Sequence, residues 1–444
     1  MRRQLQHPAR IVPAAFLALV VIGTVLMMLP VSRAEPGFAP FVTALFTATS
    51  AVCVTGLAVV DTGTYWSPFG QAMLTVLTQI GGLGIMVMAT LLGVLISQRL
   101  GLRGRLMAQT ESRGLETADI RRMVLRIAAV SFVCEAVITV AVALRLWLGY
   151  GYSFRRSVWE GVFHSIQAFN NGGFALYPDS LIRFVGDPWI CTPLALGVML
   201  GSIGFPVIFE LARNWRKPDG WSTHTRLTVW GTIVLGVFGF FFVLVFEWGN
   251  PHTFGPLSVA DKILAAFTQD VMTRSGGFNS VDFGQMNQET LTISTALMFI
   301  GGGSASTSGG IKLTTFFLLG FVILAEIRGE PDVVIGRRRI AETTQRQAMT
   351  VALLGVALVG TGTLALLAID RDITLDRAIF EATSAFATVG LSTGITPTLP
   401  ESGQIVLVIL MYVGRVGTIA VGSAIALNSR QRLYRYPEER PIVG

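Results

Sequence analysis

Four times in 444 residues the chain repeats a short run that closes on glycine followed by leucine or phenylalanine. Residues 49–57 read TSAVCVTGL, 164–174 HSIQAFNNGGF, 268–278 TQDVMTRSGGF, and 383–393 TSAFATVGLST. Aligned on the last glycine of each run, the shared positions are Gly56, Gly173, Gly277 and Gly390, spaced by roughly 110 residues. One such run is an ordinary loop. Four in register demand four similar units, each placing a short helix and a sharply turning backbone in an equivalent position.

The solvent of this chain is lipid. Only 14% of residues are charged and 52% are hydrophobic, with mean hydropathy +0.60, whereas soluble domains carry about 25% charged residues. Apolar runs of about 20 residues recur along the whole length. The first, 11–29, follows a basic N-terminus without a small-residue cleavage site and reads as a retained helix. Cys53, Cys134 and Cys191 are odd in number, lie in apolar or pore-loop contexts, and suggest neither a disulfide framework nor a metal site.

Each unit reads as outer helix, half-helix with loop, inner helix. The segments are 11–29, 41–50 and 71–97; 123–148, 157–169 and 189–212; 228–248, 260–272 and 291–328; then 348–369, 376–386 and 404–428. This predicts an all-α polytopic membrane protein. Four pseudo-symmetric helix–pore loop–helix repeats surround one central pore, with eight transmembrane helices and four re-entrant half-helices. The expected boundaries are 1–100 for repeat one, 101–218 for a cytoplasmic loop and repeat two, 219–330 for repeat three, and 331–444 for repeat four with a cytoplasmic C-terminus.

The net charge of +7 is explained by location, not by a nucleic-acid partner. Arg2, Arg3 and Arg10; Arg99, Arg103, Arg105, Arg113, Arg121, Arg122 and Arg126; Arg213, Arg216, Lys217 and Arg226; Arg328, Arg337, Arg338, Arg339 and Arg346; and Arg430, Arg432, Arg435 and Arg440 all fall on one side. The positive-inside rule makes that side, with both termini, cytoplasmic in the cell membrane. The opposite side carries Asp61, Asp179, Asp187, Asp282, Asp370 and Asp372, a balance that would concentrate cations.

Glycine reaches positive φ at little cost, so consecutive carbonyls can be aimed at one axis. A ring of such carbonyls can replace the water shell of a cation. The candidate filter is Thr55 with Gly56, Gly172 with Gly173, Gly276 with Gly277, and Val389 with Gly390. The residue before each glycine varies while the glycine does not, as backbone coordination of a large, weakly hydrated cation would allow. The negative C-terminal ends of the half-helices would favour a cation in the cavity below. Asn170, Asn171, Thr273 and Arg274 are expected to buttress the filter from behind. Arg274 is alternatively a pore-lining charge.

The inner helices carry Gly81 to Gly84, Gly201 to Gly204 and Gly414 to Gly417, at similar distances past their filter glycines. Close helix packing accounts for these three. Repeat three has instead Gly301, Gly302, Gly303, Ser304, Ala305, Ser306, Thr307, Ser308, Gly309 and Gly310. That run cannot hold a helix, at up to about 1 kcal/mol per glycine, and a mid-membrane break must line a cavity. It reads as a flexible loop across the pore, hence a gate. Lys312 follows it. Arg415 lies mid-helix in repeat four, as an electrostatic barrier in the cavity or as a clamp paired with Glu135 or another buried acid.

Together FNNGGFAL, RSGGFNSVD, ATVGLSTGITP, SASTSGGIK and YVGRVGT resemble the filter loops, gating loop and last inner helix of the Trk/Ktr/HKT superfamily of potassium transporters, most of all the KtrB-type membrane subunits. The likeness covers nearly the whole chain. One departure is Gly172 and Gly276, where the family often has alanine. The resemblance implies potassium selectivity at Gly56, Gly173, Gly277 and Gly390. It implies gating by 301–310 with Arg415 as electrostatic partner. It further implies a homodimer, a cytoplasmic ring of nucleotide-binding RCK subunits that carries the only nucleotide, and activation by sodium.

Two other readings stand beside this one. A sodium or poorly selective monovalent cation permease would share the architecture, and all-glycine filters argue against it. An intramembrane serine hydrolase using Ser304, Ser306 or Ser308 would need a base. Of His7, His164, His224 and His252, only His164 lies near the membrane, and it opens a filter half-helix. The glycine-rich run lacks a Gly-Lys pair and is no phosphate-binding loop. No catalytic residue is assigned.

Overall fold

A computed structural model describes residues 8–99, 117–336 and 338–427, with side chains described for 12–88, 121–336 and 338–417. The expected positions Arg2, Arg3, Arg103, Arg105, Arg113, Arg337, Arg430, Arg432, Arg435 and Arg440 lie outside the described residues.

Four times the chain runs through a long helix, a short helix, a loop and another long or broken helix. The first set is α1 (Pro8–Met28), α2 (Phe41–Val52) and α3 (Pro68–Arg99). The second is α4 (Thr117–Gly149), α5 (Phe154–Asn170) and the pair α6 (Pro188–Ile203) and α7 (Phe205–Asn214). The third is α8 (Thr223–Glu247), α9 (Val259–Thr273) and the pair α10 (Gln288–Phe299) and α11 (Leu313–Arg328). The last is α12 (Glu342–Ile369), α13 (Leu375–Phe386) and α14 (Glu401–Leu427). A two-residue antiparallel ladder pairs Val334 with Arg339 and Ile335 with Arg338 between α11 and α12.

Local sequence sets the helix starts. Ser153, Ser222 and Ser258 cap α5, α8 and α9 by accepting from the backbone N–H three residues on. Asp187 caps α6, with Pro188 preset for the first turn. The short helices form the core: the last seven residues of α13 and eight of the twelve in α2 are buried. The outer helices do the reverse. Val133, Val137 and Val140 on α4, Val234, Val237 and Phe241 on α8, and Leu353, Val356 and Leu364 on α12 are exposed. Apolar surface of that extent needs a lipid surround.

Among the described residues, four helices are long and apolar enough to cross a membrane, or five if α6 and α7 count as one span. Two inner helices depart from a continuous span. The expected break at 301–310 separates α10 from α11. The inner helix of repeat two, expected unbroken over 189–212, bends by 98° between α6 and α7. Its cause is local: Gly204 sits at φ +94 and Pro206 follows, and proline has no N–H to continue the ladder.

Candidate ion pathway

The four loops meet. A Cβ built on Gly56 would lie 2.3 Å from the Gly172 carbonyl oxygen, and one on Gly173 2.6 Å from the Gly277 Cα. One on Gly277 would lie 2.7 Å from the Val389 oxygen, and one on Gly390 2.0 Å from the Thr55 oxygen. The contacts close a ring in the order 56, 173, 277, 390. All eight residues singled out from the sequence are in it, and no side chain fits at any of the four glycines.

The glycine φ angles are +92, +70, +74 and +92. Two residues earlier each loop has a second positive φ, at Val54 (+56), Asn171 (+63), Ser275 (+92) and Thr388 (+48). The sequence reading missed these, because valine and threonine are among the residues least suited to that region. Such conformations cost about 1–3 kcal/mol each and persist only where the surroundings over-determine them.

Those surroundings are visible. Gly56 N–H donates to Ser50 Oγ and Gly390 N–H to Ser384 Oγ, both at 3.1 Å. Ser50 Oγ also donates to the Leu57 carbonyl at 2.8 Å. In repeat four the Glu381 carboxylate, fully buried, accepts from Thr393 N at 2.9 Å, Ser392 Oγ at 2.5 Å and Thr396 Oγ1 at 2.8 Å. In repeat two His164 Nε2, at the equivalent place, accepts from Leu176 N–H at 3.4 Å, while its Nδ1 meets the Glu160 carbonyl at 2.7 Å. The His164 ring stacks on Tyr177, whose hydroxyl donates to Glu160. Burial, and then the Glu160 carboxylate, hold the Tyr177 phenol above its ordinary pKa. Glu381 and Glu160 carried no sequence signal beyond being acids in buried half-helices.

The buttress residues face away from the ring. Arg274 donates to the Thr232 carbonyl at 2.9 Å and pairs with Asp270 at 3.2 Å, both side chains buried. It is a clamp onto α8, not a pore-lining charge. Thr273 Oγ1 donates to the Asp270 carbonyl at 2.7 Å. Asn170 Nδ2 donates to Gln79 Oε1 at 2.7 Å and Glu135 Oε1 at 3.2 Å. Asn171 and Ser202 side chains meet at 2.7 Å.

On one side the ring opens into a vestibule of about 470 Å³ that includes Asp61, Asp179 and Asp282. Asp61 and Asp282 also cap the N–H groups of Gly63 and Gly284, and Asp179 pairs with Arg183 at 2.6 Å. Asp187, expected at this acidic face, is instead buried. It pairs with Arg145 at 2.7 Å and accepts from Tyr150 at 2.9 Å.

The inner-helix glycines of repeats one, two and four sit on the ends of the half-helices. A Cβ at Gly81, Gly201 or Gly414 would lie 2.1, 2.0 or 1.8 Å from the carbonyl oxygen of Val52, Phe169 or Phe386. Those carbonyls stand four residues before each ring glycine. Close packing is therefore their role.

The loop 301–310 lies against the third and fourth loops of the ring. Gly309 N–H donates to Ser275 Oγ at 3.3 Å, and Ser275 Oγ to the Thr388 carbonyl at 3.2 Å. The loop is ordered by its own bonds: Gly302 N–H to Ser308 Oγ at 2.8 Å, Ser306 Oγ to the Gly303 carbonyl at 2.6 Å, and Ser304 Oγ with Thr314 Oγ1 at 3.0 Å. No base is among these serine partners, and His164 is engaged in its own loop. Gly303 N–H and Thr307 N–H donate to the Ser202 and Gly201 carbonyls at 2.8 and 3.1 Å, filling the broken end of α6. Lys312 Nζ donates to the Ser308 carbonyl at 2.5 Å.

Arg415 donates through Nη1 to the Thr307 carbonyl. The clamp with Glu135 is not formed, since Glu135 is taken by Gln79, at 2.9 Å, and Asn170. Among the described residues no carboxylate pairs with Arg415, and its Nε and Nη2 have no protein partner although the side chain is 2% exposed.

The TrkH family model, described as "Cation transport protein", matches residues 1–431. Ktr system potassium uptake protein B of Bacillus subtilis is 37% identical over 437 residues, 98% of this chain and 97% of that protein. Potassium/sodium uptake protein NtpJ of Enterococcus hirae is 29% identical over 447 residues, 100% of this chain and 98% of that one. The crystal structure of the potassium transporter TrkH from Vibrio parahaemolyticus has the same fold, with TM-score 0.70 at 18% identity over 94% of this chain and 85% of that one.

Proposed function

The chain belongs to the TrkH family of cation transport proteins, and we propose that it takes up potassium through the ring at Gly56, Gly173, Gly277 and Gly390. The observation that carries this reading is the closed ring of four positive-φ glycines, each excluded from bearing a side chain by its neighbour's backbone. Carbonyls of Thr55, Gly172, Gly276 and Val389 border the ring and would stand in for a cation's water shell. The vestibule acids would raise the local cation concentration.

The ends of α2, α5, α9 and α13 would hold the ion below the ring through their dipoles. The loop 301–310, with Lys312, would close the path there. Arg415 holds that loop through the Thr307 carbonyl, and its Nε and Nη2 have no protein partner among the described residues. Unpaired buried N–H groups call for water, and a cation in the same water would be repelled by the guanidinium. The guanidinium is thus a barrier whose removal speeds permeation.

On this reading the chain is four repeats, 1–100, 101–218, 219–330 and 331–444, with eight spanning helices and four re-entrant ones. Both termini face the cytoplasm of the cell membrane. It works as a homodimer on a cytoplasmic nucleotide-binding RCK ring, and sodium activates uptake. A relative named for potassium and sodium uptake keeps a sodium-permeant alternative in view. Tracer flux into proteoliposomes, comparing potassium, rubidium, sodium and lithium, separates the two. Potassium and rubidium well above sodium is the expected outcome, and equal sodium flux would refute selectivity at the ring.

A further inference from the structure

The 98° bend turns α7 out of the direction of α6. At 16 residues α6 is about 24 Å long, so α7 branches off near the far boundary of a hydrocarbon core of ~30 Å. A helix leaving a spanning helix at a right angle at that depth runs along the interface. Its buried face is Phe205 and Val207. Its end and the turn after it are exposed: Arg213, Trp215, Arg216 and Lys217, with Trp215 65% exposed and Arg216 4.7 Å over its ring. Asp219 is the one acid in 211–220.

The element is held rigidly. The Glu210 carboxylate accepts from Ser222 N at 2.6 Å, Ser222 Oγ at 2.7 Å and Thr225 Oγ1 at 2.5 Å, fixing α7 to the first turn of α8. Trp221 Nε1 donates to the Asn214 carbonyl at 3.0 Å, which closes the turn. Three cations beside an exposed tryptophan fit one class of ligand.

We propose that α7 and the turn 215–217 form a binding site for an anionic phospholipid headgroup, with Trp215 in the acyl boundary and Arg213, Arg216 and Lys217 on the phosphate. The bend that leads into the site touches the loop 301–310. A Cβ on Gly204, at the bend, would lie 2.5 Å from the Ser304 carbonyl oxygen, and Gly303 N–H is bonded to Ser202. A load that lipid places on this rigid element therefore bears on that loop through the bend. The binding proposal rests on the membrane reading and not on the ion path.

The test uses the full chain in vesicles of phosphatidylcholine with increasing phosphatidylglycerol, one of the two brominated on its acyl chains. The Trp215→Phe variant isolates the emission of Trp215 from that of the other tryptophans. Each basic residue near an anionic surface is worth roughly a fivefold preference. Quenching of Trp215 should therefore rise with phosphatidylglycerol far ahead of its mole fraction. The R213Q/R216Q/K217Q variant should return it to the mole fraction. Equal quenching by the two lipids, or selectivity that survives in the triple variant, overturns the proposal. So does absence of quenching by either, which would mean that protein covers this face. Potassium flux against phosphatidylglycerol content is a separate readout, and its failure would speak only against coupling to the loop.

Discussion

Gly390 and Gly394 offer a controlled test of the ring. Their backbones are nearly the same, at φ +92 and +89, and their surroundings are opposite. Around Gly394 nothing lies within 4 Å of a built Cβ, whereas at Gly390 the Thr55 carbonyl oxygen is 2.0 Å away. Alanine at either position has to adopt a left-handed conformation, at about 1–2 kcal/mol. Only at Gly390 must a carbonyl of the ring also retreat, by about 1.4 Å to reach ordinary contact, with an overpacking cost of about 1–3 kcal/mol. Gly394→Ala should lower the thermal midpoint slightly and keep the potassium-to-sodium flux ratio of the parent. Gly390→Ala should lose at least about tenfold in that ratio, the equivalent of about 1.4 kcal/mol of discrimination between the ions. Tracer flux with both ions, on protein that still elutes as one folded species in detergent, is the assay. A Gly390→Ala protein with undiminished selectivity would refute the reasoning, because the ring could then tolerate a displaced carbonyl. Equal loss in both variants would trace the effect to backbone strain instead.

Removing residues 302–309 should raise potassium flux in vesicles containing this chain alone; unchanged or lower flux in folded protein would remove the gating role. Arg415→Ala should speed flux, and since no carboxylate among the described residues pairs with it the thermal midpoint should hold; a fall in folded yield without faster flux would restore a clamp role. Asp270→Asn strands the buried Arg274 charge and should cost about 3–5 kcal/mol, read as a large drop in thermal midpoint that the double variant with Arg274→Met partly reverses. An unchanged midpoint in the single variant would mean that water already solvates Arg274.

The repeat was legible because it rests on backbone requirements that glycine alone meets. Gly56, Gly173, Gly277 and Gly390 could be aligned from sequence, and they do converge. The break at 301–310 was legible for the same reason. What escaped was anything set by a neighbour rather than by the residue itself. Val54 and Thr388 sit at positive φ against their own preference, in loops pinned where the Gly56 and Gly390 N–H groups donate to Ser50 and Ser384 Oγ six positions back along the half-helix. The partner of Arg415 is the carbonyl of Thr307, which no charge-pairing argument would select over Glu135. The bend at Gly204 was written in the sequence as Gly-Phe-Pro, but the packing role of the neighbouring Gly201 concealed it.

The two irregular inner helices are one structural unit, and this limits how the loop can move. In an unbroken helix the carbonyl of Ser202 would accept from residue 206, which is a proline without an N–H. The open acceptor is filled by Gly303 N–H, and the Gly201 acceptor beside it by Thr307 N–H. Four N–H groups in and beside the loop are committed elsewhere, Gly301 to Ile311, Gly302 to Ser308, Gly309 to Ser275 and Ile311 to Phe299, while those of Gly303 and Thr307 rely on the α6 acceptors. Withdrawing the loop bares two carbonyls and two N–H groups, at about 1–3 kcal/mol for each that stays dry. Restoring the α6 ladder cannot recover the Ser202 carbonyl, since Pro206 has nothing to donate. Only water can satisfy these groups, so displacement of the loop and wetting of the axis have to occur together. That is the condition under which the free N–H groups of Arg415 also cease to be a cost.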